Sequence, residues 1–441
     1  MPNSFVYGAA TSAYQIEGAR HADGKGESIW DRFADIGRMP ESGDIACDHY
    51  NRWREDIQLM SDLGVDAYRF SIAWTRVLPD GRGEVNQAGL DFYDRLVDGL
   101  LDAGITPYPT LYHWDLPQVL EDEGGWTNRA TVDAFVEYTE AVARRLGDRV
   151  TNWITHNEPW VAAYLGHLEG VFAPGRTSWP DALAASHHIL LSHGRAVPVL
   201  QANGAKVGIA LDCRPARPAS DDPRAVAASR HFDGFRNRWF FDPVFGKGYP
   251  DDMMKAYRDR GRFDDTMPAV EGRDLDEIAV PIDFLGLNYY TSLAISASDD
   301  PEVEFTPVQP GPNPPTGFTE MGWENTPEAL TDYLVHLNEE YQPASVFITE
   351  NGASYGDGVG PDGRVHDQRR IDYLAAHIAA THNARDRGVP VDGYFVWSLM
   401  DNLEWVKGYR QRFGLIHVDH ATGTRTPKDS YHWYRELLSS R

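Results

Sequence analysis

Along this chain, short apolar runs alternate with longer stretches in which apolar side chains return every three or four positions. The short runs, at residues 4–9, 67–72, 106–111, 150–155, 206–211, 284–287, 346–349 and 393–397, are apolar enough to be buried on both faces, which predicts strands of a parallel sheet. The longer stretches read as amphipathic helices. In residues 52–63, Trp53, Ile57, Met60 and Leu63 form one stripe and Gly64 supplies a stop. Asn86 is placed to cap a helix that buries Leu90, Tyr93, Val97 and Leu100 and ends at Gly104. Thr127 or Asn128 is placed to cap another that buries Val132, Phe135 and Val142 and ends at Gly147. Repeated strand–helix units of this kind predict an α/β protein built as one closed (β/α)8 TIM barrel over residues 1–441, a single domain with elaborated loops after its strands.

Two stretches break the rhythm, residues 212–224 and the proline-rich residues 299–317. Each follows a predicted strand, so both are expected on the C-terminal rim of the barrel; a linker between domains is the alternative reading of the second.

Two of the predicted strands end in a glutamate: Glu158 in Trp153-Ile-Thr-His-Asn-Glu-Pro159, and Glu350 in Val346-Phe-Ile-Thr-Glu-Asn-Gly352. A carboxylate where a buried strand gives way to a turn sits at a mouth and not in a core. Other strand ends carry polar or aromatic residues. Gln15 and Glu17 follow the first, Arg69 ends the second with Trp74 beyond, and His113 and Trp114 follow the third. The fourth delivers Asn157, the sixth Asn288 and Tyr290, and the eighth runs through Trp397 to Glu404 and Trp405. In a barrel these converge on one face. Taken singly, a Glu before Pro is ordinarily a turn residue, Arg69 an ion-pair partner, His113 a buried hydrogen-bonding histidine and the tryptophans core. Together, the amides and carboxylates suit paired hydroxyls and the indole rings suit the C–H face of a pyranose. Two carboxylates across one anomeric centre are the requirement for glycosidic cleavage, one as acid and one, in a retaining enzyme, as nucleophile. Arg69 and Tyr290 are placed to hold Glu350 ionised, burial and the neighbouring charge to keep Glu158 protonated, and Asn157 to grip the sugar 2-hydroxyl.

Composition narrows the class. At 42% hydrophobic and 24% charged the chain is globular, and no apolar stretch is long enough to cross a bilayer. The 41 basic and 66 acidic residues leave a net charge of −25, with no Lys/Arg block to bind nucleic acid; the same acidity is expected to disfavour anionic substrates. Cys47 and Cys213 alone build neither a disulfide framework nor a thiolate cluster. His187, His188 and His193 lack the spacing of a zinc helix, and the glycines of residues 356–360 lack a phosphate-binding lysine. No metal or cofactor is expected. The first residues carry no secretory pattern, so a cytoplasmic location is expected.

The residues resemble those of family 1 glycoside hydrolases, the β-glucosidase family. The similarity runs from Phe5-Val-Tyr-Gly-Ala-Ala-Thr-Ser-Ala-Tyr-Gln-Ile-Glu-Gly18 through Tyr68-Arg-Phe-Ser-Ile-Ala-Trp74, His113-Trp114 and Thr155-His-Asn-Glu-Pro159. It continues through Asn288-Tyr-Tyr290 and Ile348-Thr-Glu-Asn-Gly352 to Trp397-Ser-Leu-Met-Asp-Asn-Leu-Glu-Trp405 and Arg412-Phe-Gly414. The resemblance implies hydrolysis of β-glycosides with retention, with Glu158 as acid/base, Glu350 as nucleophile, and carboxylates about 5–5.5 Å apart. It also implies a sugar site made by Gln15, His113, Trp114, Asn157, Glu404, Trp405 and Phe413 over a Trp397 floor, with Trp323 at the aglycone entrance.

Glu158 stands where thioglucoside-cleaving relatives carry Gln, which favours O-glycosides. An intact Glu404-Trp405 pair favours an unphosphorylated sugar, although Lys407 and Tyr409 keep a 6-phospho-β-glucosidase open. His156 replaces a commonly apolar residue, and an indirect effect on Glu158 is expected. The sequence therefore predicts a metal-independent, exo-acting β-glucosidase acting on small β-glycosides, with β-galactosides and β-fucosides as secondary substrates. A non-catalytic sugar-binding barrel is the competing reading, and a homo-oligomer is admissible.

Overall fold

The computed structural model describes residues 5–263, 267, 269–300, 303–308, 311 and 317–441. All eight apolar runs form strands: β1 (Val6–Ala10), β2 (Ala67–Ser71), β3 (Thr106–Tyr112), β4 (Asn152–Asn157), β5 (Lys206–Cys213), β6 (Phe284–Tyr289), β7 (Val346–Asn351) and β8 (Val391–Trp397). Each pairs in parallel with its neighbours in chain order, and β8 closes on β1 in a register running from Val6 opposite Gly393 to Ala10 opposite Trp397. Helices including Gln87–Asp102, Ala130–Leu146, Trp179–Gln201, Pro327–Tyr341 and Gln368–Asp386 cover the outside.

Strands β4, β5, β6 and β7 each run two residues beyond their predicted ends, so Asn157, Asn288 and Glu350 belong to strands and not to turns. Polar residues end an apolar run in the sequence, but the ladder continues because these side chains satisfy one another inside the barrel. The ladders also shift register between Ile154 and Asn157 in β4, and between Ile348 and Asn351 in β7. Such irregularities re-aim side chains. Thr155 and His156 of β4 both face the outer helices, bonding His193 (2.7 Å) and Ser192 (2.8 Å), which returns Asn157 to the interior.

The helix predictions need small corrections. Helix His49–Leu63 starts three residues before the predicted stripe and ends at Gly64, whose φ of 80° is the left-handed stop expected of glycine. Asn86 occupies the N-cap position, but its amide donates to the carbonyls of Asp23 and Arg76 and does not cap the helix. Asn128 does accept from the Ala130 amide at 3.0 Å. The rim segments are attached to the barrel: Ala216–Pro218, Leu293–Ser296 and Thr306–Val308 form a three-stranded sheet. That removes the linker reading for the described part of 299–317; residues 301, 302, 309, 310 and 312–316 lie outside the described residues.

Inside the barrel, Tyr108, Phe284, Phe347 and Phe395 interlock, with centroids of Tyr108 and Phe395 5.1 Å apart and of Phe284 and Phe347 5.3 Å apart. This aromatic plug closes the barrel beneath the residues at its C-terminal end. The segment after β8 is pinned by buried ions. Asp401 accepts from Lys428 (2.9 Å), Arg412 (3.0 Å) and the Gly414 amide (3.0 Å), and Lys428 also meets Asp357 at 3.1 Å. Multiply bonded charges of this kind fix a loop's conformation more than they stabilise the fold. Among the described residues, no helix is long and apolar enough to cross a membrane.

Candidate active site

A cavity of about 390 Å³ opens at the C-terminal end of the barrel, within the range of small-molecule sites. Its wall includes His113, Trp114, Glu158, Asn288, Tyr290, Trp323, Glu350, Trp397, Glu404, Trp405 and Phe413, contributed by the ends of β3, β4, β6, β7 and β8 and the segments after them.

Glu350 is held by a dense set of donors. Arg69, fully buried on β2, gives one guanidinium NH to Glu350 Oε1 at 2.5 Å and another to Asn157 Oδ1 at 2.6 Å. The Tyr290 hydroxyl donates to Glu350 Oε2 at 2.6 Å. The Asn288 amide donates to Glu158 Oε1 at 2.8 Å and to Asn157 Oδ1 at 2.9 Å, and is itself fixed by the Thr349 hydroxyl at 2.7 Å. One continuous network thus joins the two carboxyls.

Backbone geometry aims these groups. Glu158, Trp114 and Trp405 have φ values of 47°, 78° and 47°. For side chains with a Cβ such left-handed conformations cost about 1–3 kcal/mol each and persist only where the surroundings impose them. The Glu158 amide donates to Ala210 O of β5 at 2.8 Å, and the Trp114 indole donates to Asn157 O at 2.8 Å. Next to Glu350, Gly352 is dictated by space: a Cβ there would lie 1.7 Å from the carbonyl oxygen of Trp397.

The two carboxyls have different electrostatics. Burial pushes the pKa of Glu158 well above the usual carboxylate range, and the charges of Asp212 and then Glu350 push it further; Asn288 opposes. Burial raises Glu350 too, but Arg69, Tyr290 and Asn288 all work against it. A guanidinium and a phenol favour the anion of Glu350, whereas Glu158 has one neutral donor, an arrangement that favours a proton on Glu158 over one on Glu350. Glu404 is pushed up to about 8 by burial and then by Glu350. Desolvation and the adjacent Arg69 hold the His113 pKa well below its usual value. Its Nε2 accepts from Asn157 Nδ2 at 3.1 Å, which leaves the ring proton on Nδ1, a donor with no partner among the described residues.

Trp397 and Trp405 each lie nearly parallel to the His113 ring, at 5.9 and 6.1 Å, and Trp323 and Phe413 lie beside Tyr290 at 5.4 and 6.1 Å. Gln15, like Asn157 and Arg69, is not part of the exposed cavity wall. It is fully buried behind the wall, its amide donating to Leu403 O (2.7 Å) and Asn402 Oδ1 (3.1 Å), so it braces the segment that carries Glu404. Glu17 and Trp74 do not reach the cavity: Glu17 pairs with Arg76 at 2.6 Å, and Trp74 stacks on Tyr138 at 5.1 Å within the core. His156 points away, against Phe135 at 4.4 Å, and is not among the groups that shift Glu158. Lys407 is at the exposed mouth, while Tyr409 turns outward, donating to Ser42 O at 2.7 Å. Among the described residues, no group of three or more His, Cys, Asp or Glu side chains could hold a metal ion.

Reading the sequence missed Asp212, Cys213, Arg214, Arg236 and Glu169, which also line the cavity. Asp212 is the last residue but one of β5 and pairs with Arg236. The available signal was Asp212 at the end of an apolar run, the same signal that identified Glu158 and Glu350.

The model of glycosyl hydrolase family 1 matches residues 1–441. The chain is 48% identical to a β-glucosidase of Agrobacterium sp., over 99% of this chain and 95% of that protein. It is 43% identical to a bifunctional β-D-glucosidase/β-D-fucosidase of Bifidobacterium breve, over 99% and 98% of the two chains. The solved family 1 β-glucosidase of Thermotoga maritima superposes with a TM-score of 0.94 at 46% identity, covering 100% of this chain and 98% of that one, and its complex with glucoimidazole is equally similar, at 0.94.

Proposed function

The chain belongs to glycosyl hydrolase family 1, and we propose that it removes terminal, non-reducing β-D-glucosyl residues from small β-glycosides by double displacement with retention. The observation that carries this reading is the unequal support of two carboxyls on one cavity wall, Glu350 bonded by Arg69 and Tyr290, and Glu158 bonded by Asn288 alone. Glu350 attacks the anomeric carbon while Glu158 protonates the departing oxygen. The ester that forms is neutral, so Glu158 loses the repulsion of Glu350, becomes more acidic and serves as base for water. Burial raises the pKa of Asp212 as well, opposed by Arg236 and Arg214, and whatever negative charge it carries beside Glu158 limits that fall.

The aromatic plug below and the Trp397 and Trp405 rings around the inner end favour a blind pocket for one terminal sugar, hence exo action. The Nδ1–H of His113 and the carboxyl of Glu404 are the proposed partners of its hydroxyls. The bifunctional relative supports β-fucosides as secondary substrates. The outward turn of Tyr409 disfavours a phosphorylated sugar. Hydrolysis of nitrophenyl β-glucoside, β-fucoside, β-galactoside and β-glucoside 6-phosphate tests the reading: the unphosphorylated glucoside is expected to have the highest kcat/KM, with product released in the β configuration. A preference for the 6-phosphate, or an α product, overturns it.

The alkaline limb of the kcat/KM profile should report Glu158. Asp212→Asn removes a negative charge that raises this pKa, so the limb is expected to move to lower pH, as read from the profile for nitrophenyl β-glucoside. An unmoved limb would separate Asp212 from the acid.

A further inference from the structure

The outer half of the cavity has a charge pattern that cleavage of a neutral glycoside does not require. Asp212 is paired with Arg236, whose guanidinium also lies 3.5 Å from the ring centroid of Trp160. Arg236 is buried, and its Nη1 has no hydrogen-bond partner among the described residues. Two positions along from Asp212, Arg214 places its guanidinium over Trp323, 5.5 Å from the ring centroid. Among the described residues, no carboxylate lies within ion-pair distance of Arg214. Two guanidiniums therefore stand beside one carboxylate, which pairs with Arg236 alone, in a chain whose net charge is −25.

Arg214 is half-buried at the cavity wall, and its partial burial, together with the neighbouring Arg236, lowers its pKa to about 10. A guanidinium that lines a cavity without a carboxylate beside it is a ready partner for an incoming anion. The guanidinium fork matches a carboxylate by two parallel bonds, and Trp323 beneath it offers a face to an aromatic ring. Glu169, the remaining acid on this side of the wall, is itself pushed up by burial, with only Arg236 opposing, so it supplies no compensating pair to Arg214.

We propose that the aglycone half of the cavity selects a leaving group that carries a carboxylate on an aromatic ring, the ring lying on Trp323 and the carboxylate received by Arg214. The inference rests on the β-glucosidase reading above and specifies its substrate class. It reverses the expectation from overall acidity that anions are disfavoured, because the field inside a cavity is set by the charges on its wall.

The test uses the β-glucosides of 4-hydroxyphenylacetic acid and of its methyl amide, whose methylene group insulates the phenol from the charge. For the native enzyme at low salt, kcat/KM for the acid is expected to exceed that for the amide by about tenfold, the lower end of what a charged hydrogen bond contributes. The advantage should lie in KM and shrink as salt is added. Arg214→Gln should bring the ratio to about one, and Arg214→Lys should keep part of it. A native ratio of one or less, or a ratio unchanged in Arg214→Gln, overturns the proposal; if the glutamine variant does not fold, the native ratio, its salt dependence and the lysine variant decide. Nitrophenyl β-glucoside separates the two readings, since failure to hydrolyse it sinks the enzyme assignment, whereas hydrolysis without a preference for the acid sinks only the role of Arg214.

Discussion

Replacing Glu350 by alanine is expected to lower kcat for nitrophenyl β-glucoside by about 10⁵- to 10⁶-fold, the scale on which removal of a nucleophile acts when its partners remain in place. The variant keeps Arg69, which then sits fully buried with its guanidinium still bonded to Asn157 and to the carbonyl of Thr349 but without its carboxylate. The vacated space is thus positively polarised and should admit a small anion. Azide is expected to restore turnover by attacking the face that Glu350 used, giving α-glucosyl azide, an inverted product identifiable by NMR. A variant that retains substantial hydrolysis, or whose azide product is β, would remove Glu350 from the role of nucleophile.

Glu158→Ala separates the two chemical steps. For a glucoside with a poor leaving group, such as an alkyl glucoside, loss of the acid should reduce kcat/KM by about 10²- to 10⁴-fold. With dinitrophenyl as the leaving group, protonation is not needed, so ester formation should remain fast while its hydrolysis, which needs the base, becomes limiting. Stopped-flow traces should then show a burst of phenol. Azide needs no base, and its attack on the ester should give β-glucosyl azide. The alkaline limb that Glu158 imposes on the native pH profile should disappear. Equal losses on both leaving groups would contradict an acid/base role.

The barrel was legible because its strands are buried on both faces: runs such as Val346-Phe-Ile-Thr and Lys206-Val-Gly-Ile-Ala-Leu have little else they can become. Their last residues were not, since Asn157, Asn288 and Glu350 look like loop until the network that satisfies them is seen. Register shifts leave no trace in periodicity, which is why the outward aim of His156 needed coordinates. Glu17 and Trp74 follow strands just as Gln15 and Trp114 do, yet packing against Arg76 and Tyr138 removes them from the cavity. Arg214 and Arg236 stayed hidden for a different reason. Arg214 falls in an irregular stretch, where a charged residue ordinarily reads as solvated loop, and only the fold brings Arg236, from the helical segment Gly234–Arg238, back against the end of β5.

The seam between β1 and β8 joins residues 6–10 to residues 393–397. A ribosome making this protein must therefore reach residues 393–397 before the first strand meets its second neighbour. Until then the growing chain exposes two unsealed sheet margins that invite pairing with other nascent copies. Premature termination shortly before β8 should accordingly produce insoluble material with no activity, because no smaller ring of these strands can close.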